Sequence, residues 1–202
     1  MKALFSETRP AVMATLILAV VCCGLYPLAV FGIGQALFHE KANGSLIVDK
    51  DGTVRGSRLL GQHFSRDKYF HSRPSAAGSG YDASNSGGSN VGPTSQKLRD
   101  SIAQNVADFR SENGLATNAP VPADAVTSSG SGLDPHISVK NAQLQAERVA
   151  RVRGLAPEQV LRLIAANTDS ADFGFLGEPG VNVLTLNLAL DALAEPVWSK
   201  AR

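Results

Sequence analysis

Cysteine is nearly absent: of 202 residues only Cys22 and Cys23 carry a thiol. They are adjacent and lie inside an apolar run, so they cannot staple a soluble domain, and cysteine usage does not report the redox compartment. Charge of one sign is not in excess either, with 19 Lys and Arg against 18 Asp and Glu. Without a block of like charges, the chain lacks the basic patch that nucleic acid or an anionic membrane surface would need. Aromatics are 6% of residues, too few for a base-stacking platform. No Gly-Lys pair occurs, which excludes a Walker-type phosphate loop, and no Gly-x-Ser-x-Gly elbow is present. The four histidines, His39, His63, His71 and His136, show neither His-x-x-x-His nor Cys-His spacing, so no metal site is expected.

What is present begins with a run free of charged residues, Pro10 to Phe38. As a helix it would be about 40 Å long, more than the roughly 30 Å of a hydrocarbon core. A cleaved secretory signal is the competing reading, but a signal's apolar region is only about 7–15 residues. An uncleaved anchor over 10–38 is expected, between a short tail at 1–9 and a soluble domain at 39–202. Lys2 and Arg9 precede the run and Lys41, Lys50, Arg55 and Arg58 follow it, so the positive-inside count leaves the orientation open. Ala11, Thr15, Ala19 and Cys23 recur every four residues. Such a stripe either lets a partner helix approach closely or simply reflects an alanine-rich helix. Pro27, after Gly24, predicts a kink.

About 160 residues follow the anchor, enough for one domain with a core. Ser45 to Leu60 reads as a hairpin turning at Asp51-Gly52. Leu98, Ile102, Val106 and Phe109 give an amphipathic helix over 94–113, with Thr94 or Ser95 as cap and Gly114 as stop. A second helix is expected over 139–153, with Ser138 as cap, Ala142, Ala146, Val149 and Ala150 facing inward, and Gly154 as terminator. A third starts at Pro157. From Val181 a strand is expected to about Leu186, then a helix. The fold class is therefore α+β: one N-terminal transmembrane helix and a single mixed soluble domain. Two stretches of linker-like composition contain a near repeat, Gly78-Ser79-Gly80-Tyr81-Asp82 and Gly130-Ser131-Gly132-Leu133-Asp134, which favours shaped loops over floppy ones.

Four ordered motifs carry a family resemblance: Tyr69-Phe70-His71-Ser72-Arg73-Pro74-Ser75, Ser86-Gly87-Gly88-Ser89-Asn90, Ser131 through Ser138, and Asn182 through Asp191. With Arg9-Pro10, Tyr26-Pro27 and Asn43 through Ile47, the chain closely resembles the C subunits of bacterial high-affinity potassium-transporting (Kdp) ATPases. The resemblance implies a non-catalytic accessory subunit of the bacterial plasma membrane, with its partners a potassium-channel-like subunit and a P-type ATPase subunit. It implies a role in assembly, or as a catalytic chaperone that raises the ATP affinity of the P-type partner. It also implies a cytoplasmic amino terminus and an extracytoplasmic domain. No intrinsic cofactor is expected, and ATP only jointly with the P-type partner. Family proposals attach nucleotide contact to a Gln-x-x-Arg-Val-Ala helix, here Gln145 and Arg148. A packing role for that pair is the alternative, since one Gln and one Arg are too little for a nucleotide pocket. From a different functional class, a membrane-anchored hydrolase would use His136 or His71 with a nearby serine.

Overall fold

The computed structural model describes residues 2–49 and 51–194; Met1, Lys50 and residues 195–202 lie outside the described residues. The chain divides into two compact units, one ending at Arg55 and the next beginning at Gly56.

In the first unit, α1 (Lys2–Ala19) runs through a π turn (Val20–Leu25) into α2 (Tyr26–Leu37). The helix thus takes in residues of the expected tail. Its stretch Ser6–Leu37, 32 residues, is long and apolar enough to cross a membrane. The Tyr26 amide donates to the carbonyl of Val21, five residues back. Pro27 has no N–H, and its ring crowds the carbonyl four residues earlier, so the wider turn ahead of it is where the backbone accommodates the ring. A short helix α3 (His39–Ala42) follows, then strand β1 (Leu46–Val48) pairs with β2 (Val54–Ser57). Gly52 closes the turn at φ +82°, a conformation only glycine takes freely, and its amide donates to the Asp49 carbonyl. The return strand stops at Ser57, short of the expected Leu60, because the Ser57 hydroxyl oxygen accepts from the Leu59 amide and bends the chain.

The second unit is α+β. Helix α4 (Gln96–Glu112) follows a long ordered loop region, then come α5 (Ala123–Val126), β3 (His136–Ser138), α6 (Val139–Arg153), α7 (Pro157–Ala166), β4 (Thr168–Asp169), β5 (Gly180–Asn182) and α8 (Val183–Ala194). The three strands form an antiparallel sheet in the order β3-β5-β4, with Ile137 opposite Val181 and Thr168 opposite Val181 on the other side. Against it pack Ala142, Ala146, Val149 and Ala150 of α6, Val160 and Ile164 of α7, and Leu186 and Leu190 of α8, with Phe70 from the preceding loop region closing the core. The alanines of α6 let neighbouring elements approach closely, which makes this face the centre of the unit.

The helix ends obey their local chemistry. The Ser138 hydroxyl accepts from the Asn141 amide at the start of α6, and Gly154 ends it at φ +66°. Ser95 precedes α4 without a side-chain cap bond. The strand expected to reach Leu186 ends at Asn182 instead. The Asn182 side-chain oxygen accepts from the Thr185 amide at 3.2 Å and starts the helix there, so Val183 is its first residue although it continues an alternating pattern. The two Gly-Ser loops are shaped, and they hold each other. The Ser75 hydroxyl donates to the Gly132 carbonyl at 2.6 Å, and the Gly87 amide donates to the Ser131 carbonyl at 2.9 Å. Gly132 has φ +68°, and a Cβ there would lie 2.6 Å from the Ala77 amide nitrogen, so no other residue fits without displacing the backbone.

Candidate functional site

The chain makes a turn at residues 66–69, where the Tyr69 amide donates to the Arg66 carbonyl at 3.0 Å, and side chains of the α-helices then hold Phe70 and His71 in place of a neighbouring strand. The Phe70 amide donates to the Asn187 side-chain oxygen at 2.9 Å, and the Asn187 amide nitrogen donates to the Phe70 carbonyl at 2.9 Å. One residue on, the His71 amide donates to Gln145 Oε1 at 2.7 Å and Gln145 Nε2 donates to the His71 carbonyl at 3.1 Å. Two successive residues are thus each held at both N–H and C=O, Phe70 by a carboxamide from α8 and His71 by one from α6. Each carboxamide presents a donor and an acceptor and so mimics a peptide unit.

Arg148, three residues after Gln145, completes the clamp. Its guanidinium donates to the Asp67 carbonyl, to the Tyr69 carbonyl at 3.0 Å, to Asn113 Oδ1 at 2.9 Å and to Gln145 Oε1 at 2.9 Å. Gln145 and Arg148 are buried, at 1% and 2% exposure. Burial pushes the Arg148 guanidinium below its ordinary range, with the Glu112 charge opposing that shift. A guanidinium stays charged even so, and its cost of burial is offset by hydrogen bonds to carbonyls. Asp124 anchors the start of the same helix, accepting from the Ser138 amide and hydroxyl and from Asn141 Nδ2 at 2.8–2.9 Å.

Gln145 also lies at the wall of an open cleft of about 550 Å³, bordered by His63, His71, Tyr81, Asp108 and Glu112. His71 Nδ1 is 2.7 Å from Glu112 Oε1, and its Nε2 is 3.2 Å from the Arg66 carbonyl oxygen. The hydrogen bond from His71 holds the Glu112 carboxyl below its usual range. Tyr81 stacks on His63 with ring centroids 5.5 Å apart and donates its hydroxyl to the Arg73 carbonyl. Burial raises its phenol above the ordinary value. The cleft is therefore lined by aromatic rings, two histidines and two carboxylates, one of them paired with His71.

The structure keeps the two histidines of the hydrolase reading in other work. His71 faces Glu112 and a carbonyl; His136 Nε2 lies 2.9 Å from Asp169 Oδ2, with Asp134 3.8 Å from its other nitrogen. Both rings are paired within the fold, and the hydrolase reading gains no support from them. Among the described residues no group of His, Cys, Asp and Glu is arranged to hold a metal ion. On the apolar helix, Ala11, Thr15, Ala19 and Cys23 are all exposed. The Thr15 hydroxyl donates to the Ala11 carbonyl at 2.8 Å, which masks its polarity. A four-residue spacing drifts around a helix of 3.6 residues per turn; the wider π turn opposes that drift and keeps Cys23 near the row.

The sequence pointed to Gln145 and Arg148 but missed their side-chain partners Asn141 and Asn113, and the neighbouring Phe70–Asn187 pair. Asn187 carried a readable signal: a carboxamide inside the apolar run Leu184-Thr185-Leu186-Asn187-Leu188-Ala189-Leu190 needs a buried partner.

Comparison with known proteins gives the family. The family model for KdpC, described as the K+-transporting ATPase c chain, matches residues 8–192. A protein of Mycobacterium tuberculosis named potassium-transporting ATPase KdpC subunit is 55% identical over 187 residues, covering 93% of this chain and 98% of the relative. Proteins of the same name from Caulobacter vibrioides and Koribacter versatilis are 51% identical over 198 residues and 50% over 181. These cover 98% and 90% of this chain, and 98% and 92% of the relatives. With a match of that extent across both the apolar helix and the folded unit behind it, the chain belongs to the KdpC family, the c chains of K+-transporting ATPases.

Proposed function

We propose that this chain is a non-catalytic accessory subunit of an ATP-driven potassium-uptake complex, working by assembly: it binds and stabilises the potassium-channel-like and P-type ATPase subunits. The observation that carries the reading is the fate of Gln145 and Arg148. Their polar atoms are engaged by the chain's own backbone at 67–71 and by Asn113 and Asn141, so neither is free to take a nucleotide. The cleft beside them adds Asp108 and the His71-paired Glu112, and its lining offers no Lys or Arg to neutralise a triphosphate.

In this reading the chain has no cofactor of its own, and ATP belongs to the P-type partner. Any rise in that partner's ATP affinity then comes through subunit contacts. The apolar helix is a single-pass anchor in the bacterial cell membrane, amino terminus in the cytoplasm and domain outside, with the Ala11, Thr15, Ala19 and Cys23 row against a partner helix. Small side chains there let backbones pack closely where lipid offers no hydrophobic drive.

Expressing the two partner subunits with and without this chain tests the proposal. Partners that co-purify only when the chain is present support it. Partners that assemble equally well without it sink it.

A further inference from the structure

The two least buried large apolar side chains of the second unit, Phe173 and Phe175, sit in one loop. Between β4 and β5 the chain makes a tight loop closed by a bridge between Asp172 and Leu176, with the Asp172 amide donating to the Leu176 carbonyl and the reverse, both at 2.9 Å. The loop displays Phe173 at 88% exposure, Phe175 at 76% and Leu176 at 52%. Together the three expose on the order of 400 Å² within four residues, comparable to the largest patch on a typical monomer. Phe173 is held at φ +53°, a conformation a bulky side chain rarely adopts. The paired backbone holds the loop that carries these rings. Beside the loop's base runs an apolar groove of about 540 Å³ lined by Leu161, Ile164 and Pro179.

Charge selects the occupant. Asp172 and Glu178 flank the rings, and no Lys or Arg occurs from Leu163 through Ser199. A loop that entered an anionic bilayer surface would carry basic residues beside its aromatics; this one would be repelled. An apolar socket rimmed by Lys or Arg on a protein complements it. We infer that the Phe173–Leu176 loop is a docking finger that inserts into an apolar, basic-rimmed socket of a partner subunit of the same complex. This rests on the accessory-subunit reading and names the surface through which it acts.

The test uses the full chain co-expressed with its partners. Phe173→Ser/Phe175→Ser removes both rings from solvent-exposed positions, so the thermal midpoint of the variant chain should stay within about 2 °C of the parent, while its affinity for the partners falls roughly 30-fold, the loss expected of an aromatic anchor. In parallel, p-benzoylphenylalanine at position 175 should crosslink to a partner subunit on illumination of membranes. Crosslinks only to phospholipid, only to a second copy of this chain, or to nothing overturn the inference. Equal partner affinity of parent and double variant overturns it while leaving the accessory role standing; an unmodified chain that holds no partner at all removes both.

Discussion

Replacing Gln145 by Ala separates a packing role from a ligand role. In the parent, Gln145 makes four hydrogen bonds, to the His71 amide and carbonyl, to Asn141 Oδ1 and to the Arg148 guanidinium. Truncation leaves the His71 peptide groups, Asn141 Oδ1 and one guanidinium N–H without these partners next to the core. Each such group costs about 1–3 kcal/mol when it stays buried. Water reaching the His71 groups from the adjoining cleft offsets part of this, which puts the net loss at about 3–4 kcal/mol. For a chain of this size that lowers the thermal midpoint by roughly 10 °C. The assay is thermal unfolding of the full chain in detergent, followed by circular dichroism. Gln143→Ala, the same change at an exposed position of α6, serves as reference and should shift the midpoint by no more than about 2 °C. A Gln145→Ala midpoint equal to that reference would refute the clamp.

Further outcomes follow from other contacts. Glu112 titrates below its ordinary value of 4.5 because His71 hydrogen-bonds its carboxylate, so it contributes stability above pH 4.5 that is lost as pH falls through the lowered value; Glu112→Gln should flatten the acid limb of a stability-versus-pH curve, and an unchanged limb contradicts the pairing. Gly132→Ala should cost about 2 kcal/mol or more, since it adds positive-φ strain to a 2.6 Å clash with the Ala77 amide; a melt indistinguishable from the parent would show that the two loops do not grip each other. Asp124→Ala removes the acceptor for three donors at the start of α6 and should lower stability by about 2 kcal/mol in denaturant titration, without effect if those bonds are not formed. A topology reporter fused after residue 202 should be active only outside the cytoplasm; cytoplasmic activity would reverse the proposed orientation.

Periodic features were legible because local chemistry decides them. The apolar run, the inward alanines of α6, Pro157 at a first turn and Gly154 at a helix end each act within a few residues. The boundary at Asn182 was not legible: alternation at Val181 and Val183 reads as strand, and only the capping bond from Asn182 to Thr185 moves the helix start. The clamp was half legible. Its anchors Gln145 and Arg148 stood in a recognisable helix, but their targets at 67–71 are backbone groups, which have no sequence signature, and the bonds join residues 74 and 81 positions apart. The pairing of the two Gly-Ser loops is of the same kind. Their composition suits either linker or shaped loop, and contacts such as Ser75 to Gly132 decide between them. The exposed Phe173 and Phe175 escaped notice because two aromatics in a short loop give no period.

The central claim is that this chain acts through its partners and performs no hydrolysis itself. The most direct measurement is potassium-stimulated ATP hydrolysis by the purified partner subunits, assayed before and after adding the purified full chain in lipid. The account predicts that the chain alone hydrolyses no ATP, that the partners alone show little potassium stimulation, and that stimulation returns when the chain is added. Full stimulation without the chain, or hydrolysis by the chain alone, would contradict it.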